Sequence, residues 1–67
     1  MIITIHNLYG IKDGNKAYFR RNGKYCFDFV GKKEYASELT ENERQMIMAY
    51  KDWYLYQFNA SHMTIEK

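Results

Sequence analysis

The dipeptide Asn22-Gly23 constrains this chain more than any other feature, because a two-residue type I′ turn needs positive φ at both central positions and this pair supplies them. On either side lie residues 16–21 and 24–30, rich in the aromatic side chains that suit a pleated, half-buried surface. Asp13-Gly14 repeats the signal after the apolar stretch 2–11. Together the turns predict a three-stranded antiparallel β-meander, with strands at about 2–11, 16–21 and 24–30. A tight turn at Asn22-Gly23 sets Arg21 opposite Lys24, Arg20 opposite Tyr25, Phe19 opposite Cys26 and Tyr18 opposite Phe27. Since strand side chains alternate, one face then carries Tyr18, Arg20, Tyr25, Phe27 and Phe29, and the other Ala17, Phe19, Cys26 and Val30. Both faces are partly apolar, so one meets a helix and the other is left over.

That helix is announced by Thr40 and Glu43, the spacing of a capping box. Neither glycine nor proline follows Gly31, so one long amphipathic helix is expected from Glu41 to about Ala60. At 1.5 Å per residue it would be roughly 30 Å long, a generous length for so small a sheet. Met46, Ile47, Tyr50, Trp53, Tyr54 and Phe58 recur at three and four and predict its inward stripe. Met48 and Leu55 fall among the polar residues of the opposite side, with Tyr56 nearby. Either a partner covers them, or the 31–39 connection or the C-terminal segment folds over them. Residues 62–65 alternate and predict a short edge strand. The fold class expected is therefore α+β.

A chain of 67 residues has room for one core, and at this size folding buries only about 60% of the unfolded surface. Extra stability must come from packing or a partner, because the single cysteine, Cys26, excludes an internal disulfide. With 18% aromatic residues the rings supply much of the core, and a disordered chain is not expected. The opening run 1–5 has no preceding charge and is far shorter than a signal peptide core or a membrane span, so a cytoplasmic location without membrane contact is expected.

Function classes narrow on the same grounds. Cys26 with His6 or His62 is the one nucleophile–base pair to consider, and a mid-strand position between Tyr25 and Phe27 would keep the thiol inert. Glu34, Glu38, Glu41 and Glu43 gather at a helix N-terminus, where the helix dipole explains them. His6, His62, Cys26 and Asp28 lack metal-ligand spacing, and no glycine-rich loop leads from a strand into a helix. No enzyme activity, cofactor, metal or small-molecule substrate is therefore expected.

Charge is uneven: residues 1–33 carry seven bases and two acids, and residues 34–67 three bases and six acids. Lys16, Arg20, Arg21, Lys24, Lys32 and Lys33, with Tyr18, Tyr25, Phe27 and Phe29, compose a candidate stacking platform for single-stranded nucleic acid. That platform is the alternative; the leading reading is a protein-binding module, whose candidate contacts are Met48, Leu55 and Tyr56 on the helix and Leu8 and Phe19 on the spare sheet face. Its partner would be another protein or a second copy.

A basic hairpin with Asn-Gly-Lys-Tyr at its turn, then Ala36-Ser-Glu-Leu39-Thr40-Glu-Asn-Glu43, then a helix and a short strand, resembles the small accessory proteins of phages and mobile elements of Gram-positive bacteria. The likeness spans residues 18–67 and rests on the order of features. It implies a protein without enzymatic activity that binds and inhibits or modulates a host protein, anti-defence inhibitors of nucleases included. It transfers no functional residue.

Overall fold

Ile3 and Ile5 alternate with Thr4 along the first strand, β1 (Ile2–His6), and both isoleucines are completely buried. β1 can bury them because strands flank it on both sides: the sheet order is β3-β2-β1-β4, all neighbours antiparallel. The other strands are β2 (Ala17–Arg21), β3 (Phe27–Val30) and β4 (His62–Glu66). Two helices, α1 (Glu41–Ala49) and α2 (Lys51–Phe58), and two short 3₁₀ turns at Leu8–Gly10 and Lys33–Tyr35 complete this small α+β fold. The structure is a computed structural model and describes residues 1–11 and 14–67.

The meander and the terminal edge strand are present, with three changes. First, β1 stops at His6 and not near residue 11, because Asn7 turns into the left-handed region (φ 59°) and the chain coils into the Leu8–Gly10 turn. Gly10 follows at φ 72°, and its N–H bonds the Asn59 carbonyl at 2.8 Å, so a side chain there would crowd Asn59. Half of the Asp13-Gly14 signal lies outside the described residues.

Second, the β2–β3 connection is not a two-residue turn. Arg21 pairs with Phe27, Arg20 with Asp28, Phe19 with Phe29 and Tyr18 with Val30, which leaves residues 22–26 as a five-residue loop. Gly23 (φ 108°) and Tyr25 (φ 55°) take the left-handed positions, and the Asn22 N–H bonds the Cys26 carbonyl at 2.8 Å. The pairing has slipped by three residues from the tight-turn register. An odd slip exchanges the faces of a strand. Phe27 and Phe29 therefore join Phe19 on the helix side, edge-to-face with it at centroid distances of 6.1 and 4.8 Å. Burying three large rings on one face outweighs the local preference for the shorter turn.

Third, the helix is interrupted. Tyr50 leaves helical dihedrals (φ −113°, ψ 21°), its N–H reaching back three residues to the Ile47 carbonyl at 3.1 Å, and the Tyr54 N–H then bonds the Tyr50 carbonyl at 3.0 Å. Neither glycine nor proline marks the spot; the last turn of α1 tightens into a 3₁₀ turn and the helix resumes. α2 ends where Asn59 turns left-handed (φ 47°), with N–H bonds from Asn59 to Tyr56 and from Ala60 to Leu55, a Schellman closure.

The core comprises Ile3, Ile5, Leu8, Ala17, Phe19, Leu39 and Ile47, with Phe27, Phe29, Met48, Tyr54, Leu55, Phe58 and Met63 packed on it. The 31–40 connection recrosses the sheet on the side away from the helices, where Lys33 meets Glu66 at 2.6 Å. It then passes the ends of β1 and β2, where the Leu39 N–H bonds the Met1 carbonyl and the Ser37 N–H bonds the Phe19 carbonyl.

Candidate protein-binding surface

Two rows of side chains run along the helices, one residue out of phase. Glu43, Ile47, Tyr54 and Phe58 turn toward the sheet. Asn42, Met46, Tyr50 and Trp53 stand on the flank beside them, at spacings of four, four and three. One residue is 100° of helix, enough to move a side chain from core to solvent.

The inward row is anchored by an ion pair. Glu43 is 5% exposed, accepts from Arg21 Nε and Nη2 at 2.6 Å each, and accepts from the Thr40 N–H at 2.8 Å. The Thr40 hydroxyl in turn accepts from the Glu43 N–H at 3.2 Å, which completes the expected capping box. Hydrogen bonds from Arg21 and Thr40 outweigh burial and hold the Glu43 carboxyl down at about 2. The pair ties the start of α1 to the end of β2. It fixes which flank of the helix faces out.

On that flank Met46, Tyr50 and Trp53 are exposed, together with Tyr25 from the β2–β3 loop and Tyr56 one turn beyond Trp53; their exposures run from 41% to 83%. Tyr25, Asn42, Gln45 and Met46 frame one open hollow of about 520 Å³. Tyr50, Trp53 and Tyr54 frame another of about 290 Å³, and Trp53 lies edge-to-face with the half-buried Tyr54 at 5.2 Å. The surface is thus a row of large side chains with indentations between them and the amides of Asn42 and Gln45 at one end.

The sequence assigned these residues differently. Met46, Tyr50 and Trp53 were expected inside, and Met48 and Leu55 outside as partner contacts. Met48 and Leu55 instead pack on the core, and Leu8 and Phe19, the other expected contacts, are buried at 7% and 0% exposure. Both belong to the hydrophobic core. Of that set Tyr56 alone is freely exposed, at 83%. One signal was legible and missed: apolar side chains occupy well over half of the helical wheel, more than one side of a helix can bury.

The basic platform is dispersed. Arg20 is bound by Asp28 across the strands, with Nε to Oδ1 at 2.7 Å, and the pair holds the Asp28 carboxyl below its ordinary value. Arg21 is taken by Glu43 and the Glu38 carbonyl, and Lys33 by Glu66. Lys16, Lys24 and Lys32 remain exposed, Lys16 and Lys24 beyond opposite ends of β2. Phe27 and Phe29 face the core and offer no stacking surface, while Tyr18 is half-buried on the other face of the sheet.

Cys26 is exposed in the loop and not buried in a strand, because the register slip moved it out of β3. His6 and His62 stack at 4.5 Å at the opposite end of the sheet. Burial first, then His62 and Lys16, lower the His6 imidazole below its ordinary value. His6 Nε2 lies 2.7 Å from Thr64 Oγ1, and His62 Nδ1 lies 2.7 Å from Ser61 Oγ, which also accepts from Asn7 Nδ2. Among the described residues no group of three or more His, Cys, Asp or Glu converges as metal ligands would, and no helix is long and apolar enough to cross a membrane. In comparisons with family models, curated proteins and solved structures, nothing matches this chain.

Proposed function

We infer that this chain is a small non-enzymatic protein-binding module that presses Tyr25, Met46, Tyr50, Trp53 and Tyr56 against a partner. The partner is a cytoplasmic host protein, which the chain inhibits or modulates by covering part of its surface, as phage and mobile-element accessory proteins do. One observation carries this: a row of large apolar side chains stands exposed on the helix flank while the core is filled by others. Trp, Tyr and Met are the residue types that interfaces concentrate, and hollows between them accept side chains from the other surface. The separation of Cys26 from both histidines supports a role without catalysis.

Nucleic-acid binding by the basic meander is the competing function. It has less support, since three of its six cations are engaged by carboxylates and two of its four rings lie in the core.

The test is capture from native lysate with wild-type chain and with Tyr50→Ser/Trp53→Ser, each with and without nuclease. The expected result is a discrete protein retained by wild type, insensitive to nuclease and lost with the double variant at unchanged circular dichroism. Retention by both chains, or release by nuclease, would sink the proposal.

A further inference from the structure

We propose that the free edge of β4 pairs with the β4 edge of a second copy, antiparallel and centred on Thr64. β4 is hydrogen-bonded to β1 along its whole length, from Ile2 opposite Glu66 to His6 opposite His62. Its other side has no strand neighbour in the described sheet, and four of its five residues are exposed. Every second residue therefore directs its N–H and C=O groups outward, ready to be paired by another strand. The strand carries no proline.

What identifies the occupant is self-complementarity. An antiparallel pair centred on Thr64 sets His62 opposite Glu66 of the second copy, Met63 opposite its Ile65, and Thr64 opposite its Thr64. Directly opposed residues share a face. The imidazole thus meets a carboxylate on the outer face, twice by symmetry, and the apolar pair on the helix face continues the core past Met63, where Ile65 is 37% exposed in the single chain. His62 Nδ1 is already engaged by Ser61, which leaves Nε2 for the carboxylate. Glu66 is held by Lys33 through one oxygen, and a carboxylate has further lone pairs to offer.

The neighbouring two-fold registers lack this match. Centring on Ile65 sets Met63 against Lys67, and centring on Met63 sets Ser61 against Ile65. The opposite edge of the sheet lacks it too: pairing β3 with itself about Asp28 opposes two aspartates, and pairing about Phe29 sets Asp28 against Val30. A two-fold pair at β4 closes on itself, forms one eight-stranded sheet from two four-stranded ones, and places both sets of helices on the same side. The helix flank of each copy is not consumed, so this interface goes beyond the proposed function and stands independently of it.

So small a contact is weak, with a dissociation constant on the order of 10–100 μM. Sedimentation velocity up to about 1 mM is expected to show a concentration-dependent monomer–dimer equilibrium in the wild type. Glu66→Lys opposes imidazole to ammonium and should weaken association about tenfold, and His62→Glu/Glu66→Lys should restore it by exchanging the two charges. Register is read separately by mild oxidation of Cys26→Ser chains. Thr64→Cys should cross-link readily, its Cβ lying about 5 Å from its symmetry mate, whereas Glu66→Cys should not. A wild type that stays monomeric throughout, a double variant no better than Glu66→Lys, or equal cross-linking of the two cysteine variants would each overturn the proposal. None of these outcomes bears on capture through Trp53.

Discussion

Ile47 and Met46 are sequence neighbours on one helix, yet Ile47 is completely buried and Met46 stands 41% exposed. The same contrast recurs at Glu43 and Asn42 and at Tyr54 and Trp53. The inward member of each pair holds the fold together; the flank member contributes little to it and is available to a partner. Local composition does not separate the two rows, since both are rich in large apolar residues. The Arg21–Glu43 pair and the slipped β2–β3 register separate them, by fixing the rotation of α1 and by bringing Phe27 and Phe29 beneath the inward row.

The largest expected effect tests the inward row. Ile47→Ala should cost about 3–4 kcal/mol through lost contact and an unfilled cavity, most of the stability of so small a chain, whereas Met46→Ala should cost less than about 0.5 kcal/mol. Urea unfolding followed by circular dichroism reads both, and equal losses would erase the distinction between the rows.

Glu43→Gln should cost about 2 kcal/mol, because the charge-assisted bonds to Arg21 are lost. Its pH signature is specific. Folding lowers the Glu43 carboxyl from the ordinary glutamate range to about 2, so its stabilisation is complete above the unfolded value and is lost as pH falls from there toward the folded one. In Glu43→Gln the acid-induced loss of stability should be shallower across that window. An unchanged slope would place the anchor of α1 elsewhere.

The comparison can be sharpened on β2, where Arg21 and Arg20 are also neighbours with different partners. Asp28→Asn removes the partner of Arg20 at the sheet surface and should shift the urea midpoint less than Glu43→Gln does, since exposed pairs are screened by water and salt. Finally, Trp53→Ser should leave stability within about 0.5 kcal/mol of wild type. A large loss there would make Trp53 a structural residue and remove it from the binding surface.

Legibility in the sequence followed the range of the interactions. The capping box at Thr40 and Glu43, the existence of three meander strands and the terminal strand near residues 62–65 were all readable, because each rests on contacts within a few residues or on strict alternation. The span of β1, the interruption at Tyr50 and the outward placement of Tyr25, Met46, Tyr50 and Trp53 were not. The span of β1 and the outward placement depend on partners far along the chain, Asn59 against Gly10, Arg21 against Glu43 and Phe29 against Phe58, while the interruption at Tyr50 has no glycine or proline to mark it.

Asn22-Gly23 shows the division most plainly. The sequence by itself determined that the chain turns back there, since Gly23 takes a positive φ at little cost and rings flank the turn on both sides. Where the strands register was a tertiary decision. A loop of five residues in place of two sacrifices the most favoured turn but gathers Phe19, Phe27 and Phe29 on one face under Tyr54 and Phe58. A turn preference is worth a fraction of what three buried rings contribute, so the core set the register, and the register chose which side chains this chain shows to a partner.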